Sequence, residues 1–152
     1  MILKDRFRGT KLRQCEGAAM VEFAIGVSVL LMLVLGIIEF GFLWYQKQVI
    51  TNASREAARY GVTYQTTSTG ARLAPQSFTN PTIVGVVDQY CANRIPTGSW
   101  TTAVTGSGYS TGTKGSPVIV TVTCTNQMDI LSGFIPSLAN LSFTAQTIMN
   151  CE

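Results

Sequence analysis

The residue with the clearest chemical potential is Glu22. It sits at the fifth place of an apolar stretch running from Ala18 to Tyr45, and no charge follows between Phe23 and Ile38. An ionisable side chain at the centre of a membrane helix costs about 2.5–3.5 kcal/mol, so such a residue is kept near an interface, protonated, or paired. Two readings stand. Glu22 snorkels to an interface, or it is a charge partner inside an assembly. Glu39, seventeen residues on, fits the opposite interface. The other reactive side chains are cysteines, four in number: Cys15, Cys91, Cys124 and Cys151. Histidine is absent, which removes the commonest general base and the commonest metal ligand. No Cys-x-x-Cys pair is present, no zinc set can be assembled, and no nucleophile-with-base constellation is recognisable. The sequence therefore implies no enzyme, no metal and no cofactor. Gly112-Thr113-Lys114-Gly115-Ser116 lacks the glycine spacing and the following helix of a phosphate loop.

The elements that must position these residues follow from charge and hydropathy. Charged residues are only 12% of the 152, about half the share of an ordinary soluble domain. The formal net charge is +3, and all of it lies in residues 1–17, where Lys4, Arg6, Arg8, Lys11 and Arg13 face Asp5 and Glu16. From residue 18 onward six basic groups balance six acidic ones, so nothing suggests nucleic-acid binding. The uncharged run from Phe23 to Ile38 is about 24 Å of helix, and a bilayer core needs roughly 20 residues. The stretch spans only if it extends over Glu22 on one side or past Glu39 into Phe40–Tyr45 on the other, where Trp44, Tyr45 and Lys47 suit the membrane–water interface. Five cations before the segment, against Lys47, Arg55 and Arg59 after it, place the N-terminus in the cytoplasm. No small-x-small cleavage site follows the apolar core, so the segment reads as a retained anchor rather than a secretory signal. The helical pattern continues through Val49, Ile50, Ala53, Ala57 and Tyr60, with Gly61 as a stop. A helix over 18–60 results, with a thin apolar stripe on its outer half.

Residues 61–152 hold only six charges and 17 of the 19 threonines, the composition of a β-rich extracytoplasmic head. Residues 62–80 read as loop. Asn80 caps a helix from Pro81-Thr82 to about Arg94, with Ile83, Val87, Tyr90 and Cys91 on one face. Strands are expected over Ser99–Thr105, Val118–Thr125 and Leu141–Cys151, joined by Gly106–Pro117 and Asn126–Asn140. The fold class is α+β: a long N-terminal transmembrane helix and a small head with a second helix and an antiparallel sheet. An oxidising compartment favours one disulfide and one odd thiol among Cys91, Cys124 and Cys151. If the first two strands form a hairpin, Cys91 comes near Cys124 while Cys151 lies about 20 Å away, so Cys91–Cys124 is favoured. Bonds of Cys151 to either, an intermolecular bond, or three buried thiols remain open.

The run Glu16-Gly17-Ala18-Ala19-Met20-Val21-Glu22-Phe23-Ala24 resembles the processing site of prepilins. Two further blocks, Gly36-Ile37-Ile38-Glu39-Phe40-Gly41 and Asn52-Ala53-Ser54-Arg55-Glu56-Ala57-Ala58-Arg59-Tyr60-Gly61, follow in order. Together they resemble TadE-like minor pilins (pseudopilins) of Tad/Flp-type IV pilus systems. The resemblance covers about 45 residues closely and the remainder only in layout. It implies a basic leader over 1–17, removed between Gly17 and Ala18 by a prepilin peptidase of the bacterial inner membrane. It implies a mature chain beginning at Ala18, with Glu22 fifth and Phe23 sixth, whose new amine is neutralised by Glu22. The implied partners are that peptidase, other pilin subunits, inner-membrane assembly proteins and lipid. The implied role is to initiate, tip or support a pilus, with a place in cell adhesion. The rival is a membrane-anchored binding module that never enters a filament; such an anchor needs neither the cleavage site nor Glu22.

Overall fold

The computed structural model describes residues 8–96, 98–126, 131–133, 136 and 139–152. The expected basic leader lies partly outside these, with residues 1–7, and so does much of the Asn126–Asn140 connection. The chain divides into two compact units, Met1–Glu39 and Phe40–Glu152.

The first helix, α1, covers Arg8–Val62. It therefore starts within the expected leader and passes Gly61 by one residue. A glycine weakens a helix by only about 1 kcal/mol, and no proline interrupts this run. In the first unit most of its apolar side chains are exposed, Val27 and Leu35 being half-buried, and no part of the most apolar window is buried against the rest of the chain. This is one helix long and apolar enough to cross a membrane.

The second unit is α+β. Its core joins the end of α1, a second helix α2 (Ile83–Ala92), and three strands, β1 (Ser99–Thr105), β2 (Pro117–Asn126) and β3 (Leu141–Asn150). The sheet is antiparallel in the order β1-β2-β3. Alternation in β2 turns Val118, Val120, Val122 and Cys124 inward, where all four are buried. Across the sheet, Cys124 pairs with Trp100 and Phe143, and Val122 with Thr102 and Ala145. From α1, Val49, Ile50, Ala53, Ala57 and Ala58 fill the other side of the core. Their 3–4 spacing forms one stripe, and the alanines allow close approach of neighbouring side chains. Each fully buried Ile or Val contributes about 1.5–3 kcal/mol. Polar ties register α1 on β3: Ser54 Oγ lies 2.8 Å from Thr147 Oγ1, and the Lys47 ammonium donates to the Thr144 carbonyl.

Several details differ from expectation for local reasons. Thr82, not Asn80, caps α2, accepting a hydrogen bond from the Gly85 N–H at 2.9 Å. Pro81 is therefore outside the helix rather than in its first turn, and the helix ends at Ala92 because Asn93 serves as its C-cap. The 62–80 stretch contains a 3-10 turn, Pro75–Ser77, and delivers Phe78 to the core, where it meets the Tyr60 ring edge-on at 5.4 Å. The Gly106–Pro117 connection holds a short helix, α3 (Ser107–Thr111). There Gly108 is buried. A Cβ on it would stand 2.5 Å from the Ser116 carbonyl oxygen and 2.9 Å from Cys151 Sγ. Gly108→Ala should therefore destabilise the head by about 1–3 kcal/mol in a denaturant titration of the full-length chain in detergent, because backbone must shift to make room. Gly115→Ala is not a matched control, since Gly115 has φ +82°; Gly133, with nothing within 4 Å, is.

Candidate functional site: the α1 segment and the cysteine pair

Gly17, Ala18, Glu22 and Phe23 all lie within α1 and face open space. Nothing stands within 4 Å of a Cβ built on Gly17, and Phe23 is 72% exposed. Ala18 and Glu22 are four residues apart, on one face and about 6 Å apart along the axis. The geometry thus brings the proposed new terminus and the carboxylate onto one side of a single helix. A chain that began at Ala18 would also present the unpaired N–H groups and positive dipole end of a helix N-terminus. A carboxylate one turn in is suited to both.

The residues assigned to the outer interface are placed unequally. Glu39 is half-buried at the end of the first unit. Trp44 and Tyr45 are exposed, 61% and 47%. Lys47 is held against β3 by its bond to the Thr144 carbonyl. A long-range bond of this kind has no signature in local sequence spacing.

Cys91, Cys124 and Cys151 are free and buried. Cys91 and Cys124 share the core at the α2 end of the sheet. Burial pushes the Cys91 thiol up to about 11, with smaller contributions from Cys124 and Asp88 in the same direction and an opposing one from Arg94. Burial also raises Cys124. Cys151 sits at the other end of β2, its thiol 3.8 Å from the Gly108 carbonyl oxygen. Seven strand residues, about 23 Å, separate that end from Cys124, beyond any disulfide's reach.

These shifts carry a pH consequence for the reduced protein. A thiol raised from 9.0 to about 11 resists ionisation when folded, while the unfolded chain ionises from about pH 9. Stability is therefore intact below pH 9 and declines as pH rises towards 11, by about 1–3 kcal/mol. Cys91→Ala should flatten that decline in denaturant titrations at pH 8 and pH 10.5. Iodoacetamide should label native Cys91 far more slowly at pH 8 than the same residue in urea.

Other features emerge only in three dimensions. Arg59 pairs with Glu56 at 2.9 Å on α1, as their spacing foretells, but Arg94 of the α2 end joins the same region across 35 residues. Its guanidinium stacks 4.1 Å from the Tyr90 ring centroid.

Comparison with known proteins bears on the α1 segment alone. Residues 17–59 match the family model described as TadE-like protein. The comparisons with curated proteins and with solved structures return no match. The matched segment begins at Gly17, takes in Glu22 and the exposed apolar helix, and ends at Arg59: over residues 17–59, and there alone, the chain is similar to the TadE-like proteins.

Proposed function

We propose that the chain is a minor pilin-like subunit, cleaved between Gly17 and Ala18 and assembled into, or at the base or tip of, a Tad/Flp-type pilus. The observation that supports this reading is the placement of Ala18 and Glu22 on one face of a helix whose most apolar window has no buried residue. Residues 1–17 act as the leader. Residues 18–45 span the inner membrane with the N-terminus in the cytoplasm, and 61–152 form the extracytoplasmic head. Hydrolysis of the Gly17–Ala18 peptide bond by a prepilin peptidase leaves a carboxylate on Gly17 and an ammonium on Ala18. The Glu22 carboxylate of the same or a neighbouring subunit compensates that ammonium where water is excluded. The exposed helix then trades lipid for the helices of neighbouring subunits, at little hydrophobic cost because both surroundings are apolar. Nothing in this scheme is catalytic; the chemistry is charge compensation during assembly. In the extracytoplasmic compartment a thiol–disulfide oxidant would join Cys91 to Cys124, taking up two electrons and leaving Cys151 free; non-reducing peptide mapping tests that bond.

The experiment that tests the whole reading is the mass and N-terminal residue of the protein recovered from sheared surface fibres and from membranes. A chain beginning at Ala18 in the fibres is expected. Only uncleaved chain in both fractions would overturn the assignment and leave the plain membrane anchor in its place.

A further inference from the structure

Two adjoining depressions open on the surface of the second unit, of about 470 and 540 Å³, and they share Glu56 and Tyr90 as a common wall. One is bounded by Tyr60, Val86 and Arg94. The other is bounded by Arg55, Arg59 and Met149. The combined groove thus holds three guanidinium groups against the Glu56 carboxylate, with aromatic and aliphatic surface between them. This is an unusual concentration of charge, because three of the six basic residues beyond residue 17 line it. The remaining basic groups near the sheet are tied elsewhere: Lys47 donates to the Thr144 carbonyl and Arg72 to the Glu152 carbonyl at 2.6 Å. Within the groove, Arg94 is oriented by its bond to the Tyr90 carbonyl (3.1 Å) and by stacking on the Tyr90 ring. Arg59 is engaged by Glu56, but both side chains are exposed, so an incoming carboxylate can exchange into the pair cheaply. The Arg55 guanidinium has no ion pair or side-chain hydrogen bond among the described residues.

We propose that this groove docks an acidic peptide segment of a partner polypeptide, one whose carboxylates are interspersed with apolar side chains. Arg55 and Arg94 take the carboxylates in bidentate fashion, the geometry in which guanidinium is the favoured partner. Tyr60, Tyr90, Val86 and Met149 take the apolar side chains. The net positive charge sets the sign of the partner, and the aromatic lining distinguishes a peptide from a free anion. An anionic lipid headgroup is the less suited occupant. On the membrane placement proposed above, Arg55 and Arg59 lie about 15–21 Å along α1 beyond Tyr45, and the headgroup layer is only about 5–7 Å deep. The inference needs neither leader cleavage nor entry into a filament, so its failure and theirs are separable.

The test uses the full-length chain in nanodiscs of zwitterionic lipid and a fluorescent peptide of alternating glutamate and leucine. Fluorescence anisotropy should show saturable binding that weakens with added salt. Arg55→Gln and Arg94→Gln should each weaken it by about tenfold or more. The glutamine-for-glutamate peptide should fail to bind. Arg55 is exposed and has no ion pair or side-chain hydrogen bond among the described residues, so that variant keeps the test clear of misfolding; Lys114→Gln, outside the groove, should bind as the parent does. Equal binding by the parent and both arginine variants would overturn the proposal, as would the absence of saturable binding. A groove occupied instead by anionic lipid would overturn it too, seen as protection of Arg55 and Arg94 from phenylglyoxal only when phosphatidylglycerol is included. So would a dimer in sedimentation that Arg55→Gln dissolves, which would make a second copy the occupant.

Discussion

Gly17→Ile is expected to leave the protein at full-length mass in cells that contain the prepilin peptidase, with the mature form absent from surface fibres. The structure makes this substitution unusually clean. Apart from its chain neighbours and the helix's own backbone, nothing lies within 4 Å of a Cβ at Gly17, so the start of a larger side chain is uncrowded. In a helix, isoleucine is more favourable than glycine by about half a kcal/mol, so α1 gains rather than loses local stability. A loss of cleavage is then a failure of the peptidase to accept the residue before the bond, and cannot be laid to a damaged substrate. There is also a conformational component. The Gly17–Ala18 bond lies inside α1, where its amide groups take part in the helical ladder, and a peptidase must open that turn to reach the carbonyl. Glycine makes the opening cheaper and isoleucine makes it dearer. Gly17→Ala separates the two effects: it stiffens the helix at least as much as isoleucine but stays small. Partial cleavage of Gly17→Ala with none of Gly17→Ile assigns the requirement to size. Normal maturation of Gly17→Ile, read by intact mass, would sink the processing site altogether.

The contrast between what local sequence foretells and what it does not is physical. The strands were legible because threonine and valine alternate with a period of two, and one face of β2 is fully apolar. The Cys151 position follows from strand length once the third strand is antiparallel to the second. By contrast, Phe78 and Ile95 belong to the core as single hydrophobes in irregular segments, with no period to betray them. The cap of α2 was misplaced by two residues because Asn80 and Thr82 are both good caps, and only the hydrogen bond to the Gly85 N–H chooses between them. α3 was invisible because its residues, Ser-Gly-Tyr-Ser-Thr, have low helix propensity; the pairing of β1 with β2 fixes the ends of its connection, and packing supplies the rest. The candidate site divides along the same line. Ala18 and Glu22 are four residues apart and their common face is implied by helical spacing. The arginine groove joins residues of α1 and α2 that only tertiary structure brings together. Lys47 is cationic and next to an aromatic pair, which residue type alone reveals; that its ammonium donates to a strand carbonyl is visible only in three dimensions.

Glu22→Ala should be cleaved normally and fail at the next step, with incorporation into fibres lowered by roughly 30- to 1,000-fold relative to the parent. The size follows from what the new amine can do without its partner. An ordinary α-amino group has a pKa near 8, so shedding its proton at pH 7 costs only about 1.4 kcal/mol. That escape keeps the penalty well below the full cost of a buried ammonium. What remains is an amine and the first-turn N–H groups facing an apolar surround without an acceptor, at about 1–3 kcal/mol. The sum, about 2–4 kcal/mol, gives the stated factor. Glu22→Gln keeps the shape and an acceptor oxygen but removes the charge, so it should recover part of the loss and no more. Glu22→Asp keeps the charge on a shorter arm and should recover more of it. The side chain is exposed on the isolated helix, so none of these changes disturbs the fold of the subunit. The measurement is the ratio of fibre-borne to membrane-borne mature chain, by quantitative immunoblot. If the order comes out reversed, with Glu22→Ala incorporated as well as the parent, charge compensation at the first turn plays no part in assembly. Glu22 would then be an interface residue that lipid and water satisfy by themselves.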